Sequence, residues 1–135
     1  MNTFHRSFRI STPQREVLID ITRQVTEQVA DSGVRNGLCV VSCPHTTAAI
    51  TINENADPDV KRDVIAMLHD LVPNLPTFRH AEGNSDAHVK SSLVGASETI
   101  AIADGSLQLG TWQGILFAEF DGSRNRRVNV TILGT

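Results

Sequence analysis

Glu98-Thr99-Ile100-Ala101-Ile102-Ala103-Asp104-Gly105-Ser106-Leu107-Gln108-Leu109 is the stretch whose reading decides the fold. An Asp-Gly pair between two alternating apolar segments marks a tight hairpin, because the turn needs positive φ angles that glycine and aspartate tolerate best. Ile100 and Ile102 then stand across from Leu107 and Leu109, and Gln108 falls on the opposite face. A hairpin here makes the neighbouring apolar segments candidates for an antiparallel sheet.

Downstream, Ile115-Leu116-Phe117-Ala118-Glu119-Phe120 ends at a second turn, Asp121-Gly122, and Val128, Val130 and Ile132 alternate along a last strand. Upstream, Leu38-Cys39-Val40-Val41-Ser42-Cys43 is short and apolar enough to be a buried strand, and Ala48–Glu54 resumes β-branched content. At the N-terminus Phe4, Phe8 and Ile10 share one parity, with His5 on the solvent side. Two helices interrupt the strands. One is predicted to start at Pro13 behind a Thr12 cap, to carry Leu18, Ile21, Val25 and Val29 on one stripe, and to stop at Gly33. The other starts at Pro58 behind Asp57, buries Val60, Val64, Leu68 and Leu71, and ends before Pro73, with His69 on its polar side. The expected class is α+β: one domain over 1–135, with mostly antiparallel sheets and two main helices.

The formal net charge of −3 and pI near 5.9 leave no electrostatic footprint for nucleic acid, and the arginines at 124, 126 and 127 form only a local cluster. No apolar run is long enough for a membrane helix and no signal-peptide pattern opens the chain, so a cytoplasmic protein is expected. On a strand, Cys39 and Cys43 would lie roughly 13 Å apart. That is too far for a disulfide, and two buried thiols in a reducing compartment are expected.

Candidate chemistry concentrates in the polar stretch from Arg79 to Gly95. His80 and His88 within it, and His45 at the end of a strand, are three imidazoles of the kind that hold a catalytic divalent ion with a fourth position open. Their spacing is no metal signature, so zinc or magnesium binding depends on the fold bringing His45 to the other two. The plain alternative is hydrogen-bonded loop histidines. Glu82 and Asp86 are candidate acceptors for the imidazoles, or a general base. Lys90, Ser91 and Ser92 supply a cation and hydroxyls suited to an anionic oxygen. Gln108, Trp112 and Gln113 cluster around the hairpin; the tryptophan either covers a core edge, the simpler reading, or flanks a ring-shaped ligand.

The motifs His45-Thr46-Thr47-Ala48-Ala49, Asn53-Glu54-Asn55-Ala56-Asp57-Pro58, His80 to Gly95, and Asp104-Gly105 through Gly110-Thr111-Trp112-Gln113 with Arg127-Val128-Asn129-Val130 resemble the YjbQ-like family. That family is also called the secondary thiamine-phosphate synthase family. The resemblance implies a compact α+β domain with a β-sandwich-like sheet arrangement that assembles as a homotrimer. It also implies a weak thiamine-phosphate synthase activity joining hydroxymethylpyrimidine diphosphate to a thiazole phosphate.

Under that reading Lys90 and a bound metal stabilise departing pyrophosphate, His80 or His88 manages a proton with Glu82 at hand, and Trp112 lies against a ring. Thr46, Thr47, Asn53, Lys90, Ser91, Gln108, Trp112 and Gln113 stand as candidate substrate contacts. Two other classes fit the same residues. A metal-dependent hydrolase would activate water on the three histidines, and a non-catalytic trimeric scaffold would simply bind a small anionic metabolite.

Overall fold

The structure, a computed structural model, describes residues 1–135. Its elements run β1 (Asn2–Ser11), β2 (Val17–Asp20), α1 (Thr22–Ser32), β3 (Gly37–Ser42), β4 (Ala48–Glu54), α2 (Pro58–Leu71), α3 (Ser85–Val94), β5 (Ser97–Ala103), β6 (Ser106–Leu107), β7 (Gln113–Glu119) and β8 (Asn125–Gly134). Every pairing is antiparallel. The strands form a five-stranded sheet, β1-β8-β3-β5-β6, and a three-stranded sheet, β2-β7-β4. The α+β class and the sandwich-like pairing of sheets are as the sequence predicts.

The two sheets face one another across the main core. Val41, Ile100, Val130 and Ile132 come from the large sheet, Ile50, Ile115 and Phe117 from the small one, and Val25 and Val29 from α1. On the outer face of the small sheet, Leu116, Ala118 and Phe120 pack with Ala87 of α3 and with Val64, Ile65 and Leu68 of α2. β7 is therefore covered on both faces, which is why its sequence reads as a continuous apolar run rather than an alternation. Fully burying one such Phe or Leu side chain stabilises the fold by about 1.5–3 kcal/mol.

The hairpin forms where expected, with Ile102 opposite Leu107 and Ala103 opposite Ser106 around Asp104-Gly105. β6 ends after Leu107, so the expected Ile100–Leu109 pair is not made. Ile100 pairs instead with Cys39 of β3, and Leu109 packs against the core from the loop. α2 starts as predicted, with the Asp57 side chain accepting from the Asp59 amide and Pro58 in the first turn, but Leu71, expected inside, is exposed. The αL residue Gly33 ends α1, also as predicted.

Other expectations are corrected. The first helix starts at Thr22, not Pro13, because Val17–Asp20 pairs with Leu116–Glu119 of β7. A strand offering Leu18 to one side imitated an extra turn of the helical stripe. Thr12 caps nothing; its hydroxyl bonds the backbone of Arg124. Trp112 is not core but 64% exposed.

A further correction is an additional helix, α3, inside the polar stretch. Its buried residues are Asp86, Ala87 and Lys90, while Val89 and Leu93 face solvent. An apolar stripe cannot announce a helix that turns its charges inward. No helix is long and apolar enough to cross a membrane.

Candidate functional site

Three connections meet in one cleft of about 320 Å³. The β3–β4 loop supplies His45, Thr46 and Thr47; the segment leading into α3 supplies His80, Glu82 and Asn84; α3 itself supplies His88. The β7–β8 turn adds Asp121 and Arg124, and the start of β8 adds Arg126. The three candidate histidines thus converge, although His80 and His88 lie 35 and 43 positions beyond His45. A strand end, a loop and a helix bring them together, which spacing alone cannot show.

His45 is held by its Nε2, which accepts the backbone N–H of Arg127 at 2.8 Å. A neutral imidazole has one free lone pair, so this bond places the proton on Nδ1 and makes that nitrogen a donor. Burial, and then the charge of Arg126, push the His45 imidazole below its ordinary value, so the ring is neutral at pH 7. His80 and His88 stack edge to face with centroids 5.3 Å apart, and Glu82 reaches within 3.9 Å of His80 Nε2.

Beneath the cleft lies a charge pair between the sheets. Arg126 donates from Nε to Glu119 Oε1 at 2.9 Å, from Nη2 to Glu119 Oε2, and from Nη2 to Thr47 Oγ1 at 2.8 Å. Glu119 has no exposure and Arg126 only 6%. Burial pushes the Glu119 carboxyl up, but the Arg126 fork and the Asp121 amide outweigh it and hold the acid below the usual range. At the rim, Asp121 accepts from Asn84 Nδ2 at 2.7 Å and from Arg124 Nη2 at 2.9 Å. Asn84 Oδ1 is buried with no partner, an orphan acceptor of the kind that collects at functional sites. The first turn of α3 also has no side-chain cap; the Ala87 amide bonds the Asn84 carbonyl, which leaves the Ser85 and Asp86 amides without a backbone partner.

The arrangement does not fit the tri-histidine metal centre. Three ligands need three lone pairs within about 2 Å of one ion. The only lone pair of His45 is engaged by Arg127, and no three His, Cys, Asp or Glu side chains are grouped to hold an ion. As placed, His45 presents an N–H, and Arg124 and Arg126 stand beside the carboxylates of Glu82 and Asp121.

Lys90 is also corrected. It lies two positions beyond His88 on a helix, so the two side chains diverge by about 200°. Lys90 is fully buried, with Nζ 3.0 Å from Asp86 Oδ2 and 3.3 Å from Glu16 Oε2, and it does not line the cleft. Asp86 is held there too, with Arg15 as a second partner, and is no acceptor for the imidazoles.

The other candidates divide. Thr46 and Thr47 line the cleft, and Ser91 lines an adjoining hollow. Gln108 bonds the carbonyls of its own hairpin, Gln113 accepts from the Gly110 amide, and Asn53 accepts from the next amide in its strand. None of these three, nor Trp112, lines the cleft.

Arg126, Glu119, Asp121, Arg124 and Asn84 were not singled out from sequence. For Arg126 a signal existed: it shares parity with the buried Val128, Val130 and Ile132, so alternation alone points it inward.

Similar proteins share both chain and fold. A UPF0047 protein of Methanocaldococcus jannaschii is 57% identical over 127 residues, covering 94% of this chain and 92% of that protein. The UPF0047 protein YugU of Bacillus subtilis is 48% identical over 130 residues, covering 96% and 98%. Among solved structures, a YjbQ/UPF0047 family protein of Clostridium acetobutylicum superposes with a TM-score of 0.93 at 52% identity, covering 95% of this chain and 99% of that one. A protein of Sulfolobus solfataricus gives 0.95 at 32% identity, covering 99% of each. Residues 6–135 match the family described as UPF0047 protein YjbQ-like. That span takes in all three connections that build the histidine cleft, and the chain belongs to this YjbQ-like family.

Proposed function

We propose that the cleft binds a small phosphorylated metabolite and transfers a group to or from it. The weak thiamine-phosphate synthase activity implied by the family resemblance is the candidate reaction. The observation that carries this reading is the convergence of His45, His80 and His88 with Arg124 at the uncapped start of α3. Helix-start amides and imidazole N–H groups are suited to phosphate oxygens. In the synthase reaction the thiazole nitrogen forms a C–N bond to the pyrimidine methylene carbon as its C–O bond breaks, and pyrophosphate leaves with the electron pair. The His45 Nδ1–H and Arg124 would stabilise that leaving charge, and His88 or His80 would supply a proton to it. The donor set favours this over a metal-dependent hydrolase, whose metal the same residues do not fit.

The test is product formation from both substrates together against either alone, in wild type and in His88→Ala. Turnover requiring both substrates, with kcat/KM reduced about a hundredfold in the variant, is the expected result for loss of a general acid. Equal turnover in the two proteins would remove His88 from the chemistry. A binding site without turnover would leave the non-catalytic scaffold as the better description.

The homotrimer is proposed on the same resemblance. Val89 and Leu93 on α3, with Met67 and Leu71 on α2, supply exposed apolar surface that association would cover. Light scattering is expected to give three times the chain mass of 14.7 kDa. A monomer mass at every concentration would overturn it.

A further inference from the structure

A second hollow, of about 440 Å³, adjoins the cleft and shares His45, Thr46 and His88 with it. Its chemistry differs. The rest of its wall is Ser91, Ser92, Gly95 and Ala96, so beyond the two shared imidazoles it has no ionisable side chain at all. The cleft, by contrast, holds two arginines and two carboxylates. The two compartments meet at His45 and His88, where the proposed chemistry takes place.

The serines narrow what the second compartment accepts. Ser91 Oγ donates its proton to the Thr46 carbonyl at 2.9 Å, and Ser92 Oγ donates to the His88 carbonyl at 2.8 Å. A hydroxyl has one proton to give, so both oxygens are left as acceptors. Acceptors facing a hollow call for donors on the occupant: O–H or N–H groups. No lysine or arginine is there to neutralise an acid, and no carboxylate to hold a cation. Gly95 has no side chain and Ala96 only a methyl, which leaves that wall open to close approach.

We propose that the site is bipartite and takes a phosphate ester whose head group is uncharged and rich in hydrogen-bond donors. The phosphate lies in the histidine–arginine cleft, and the head group lies against Ser91, Ser92 and Ala96, with the bond between them at His88. The inference rests on the reading of the cleft as an anion site. Each compartment alone is at the small end of the ligand-pocket range of about 300–1,000 Å³, and together they match a phosphate with a ring-sized substituent.

The experiment is calorimetric titration, at matched ionic strength, of inorganic phosphate, ribose 5-phosphate and phenyl phosphate into wild type, Ala96→Leu and Ser92→Leu. Both positions are exposed, so neither change disturbs the core, and thermal melts of each variant verify folding. Wild type is expected to bind ribose 5-phosphate on the order of tenfold more tightly than inorganic phosphate, with phenyl phosphate gaining less because it has no donor. Each leucine is expected to abolish the ribose advantage and leave affinity for inorganic phosphate within about twofold of wild type.

An unchanged ribose advantage in both folded variants would overturn the second compartment. Phenyl phosphate binding as well as ribose 5-phosphate would overturn the donor-rich class. Failure of wild type to bind inorganic phosphate or either ester would overturn the anion site beneath the inference. Inorganic phosphate binding with no gain for either ester would overturn the bipartite site alone.

Discussion

Lys90→Ala is expected to destabilise the protein by about 3 kcal/mol, near the lower end of what breaking a buried ion pair costs. Lys90 has no solvent exposure, and its ammonium stands between Asp86 at 3.0 Å and Glu16 at 3.3 Å. Removing it leaves Asp86 with Arg15 alone, and Glu16 Oε2, which makes no hydrogen bond, without its cation. Arg15 is partly exposed, which keeps the cost near 3 rather than 5 kcal/mol. For a chain of 135 residues, that corresponds to a melting temperature about 10 °C lower.

Acid should erase part of the difference between the two proteins. Burial pushes the Asp86 carboxyl up, but the bonds from Lys90 and Arg15 outweigh it and hold the acid below its usual range. A depressed carboxyl contributes stability that is present above its unfolded value of about 3.9 and is lost as pH falls through the folded value. Melts of wild type and variant at pH 7 and at pH 3 check both claims. A shift of less than about 3 °C at pH 7 would mean that the ammonium reaches water and that α3 is held by other contacts.

Lys90 also marks where sequence reading stops. Its neighbours in sequence are polar, and in an extended segment it would share a face with His88 as an anion ligand. The backbone is helical, so the same two-residue offset puts the lysine inside and the histidine in the cleft. Helices with an apolar inner stripe, α2 and the later part of α1, are legible because hydrophobic burial sets both period and orientation. α3 is oriented by Asp86 and Lys90 pairing with Arg15 and Glu16, long-range partners that no local pattern reveals. The same limit applied at β2, where the pairing with β7 decides that Leu18 belongs to a strand. Strand-end placement identified His45 as a candidate. Its tautomer comes from the Arg127 amide and its neutrality from burial and then Arg126, and the two arginines reach it only because β8 lies beside β3 in the sheet.

Arg126→Ala is expected to cost more, about 4–5 kcal/mol, because the charge it abandons is completely buried. Glu119 would lose both bonds of the guanidinium fork, keeping only the Asp121 amide, and Thr47 Oγ1 would lose its donor. The Glu119 carboxyl would then take up a proton at higher pH than in wild type, since burial, the influence pushing it up, is no longer outweighed by the fork. Arg126→Lys should recover only part of the loss, because an ammonium keeps the charge but cannot make the bidentate contact and reach Thr47 as well. The effect on the cleft is separable from the effect on stability. Arg126 is the leading charge that pushes the His45 imidazole down, after burial itself. His45 should therefore titrate at higher pH in Arg126→Ala than in wild type, and at close to the wild-type value in Arg126→Lys. Ring-proton NMR titration of the folded proteins reads this directly, with urea melts giving the stability of each. Identical His45 titrations in wild type and Arg126→Ala would show that the buried arginine does not act on the cleft and that the Glu119–Arg126 pair only joins the two sheets.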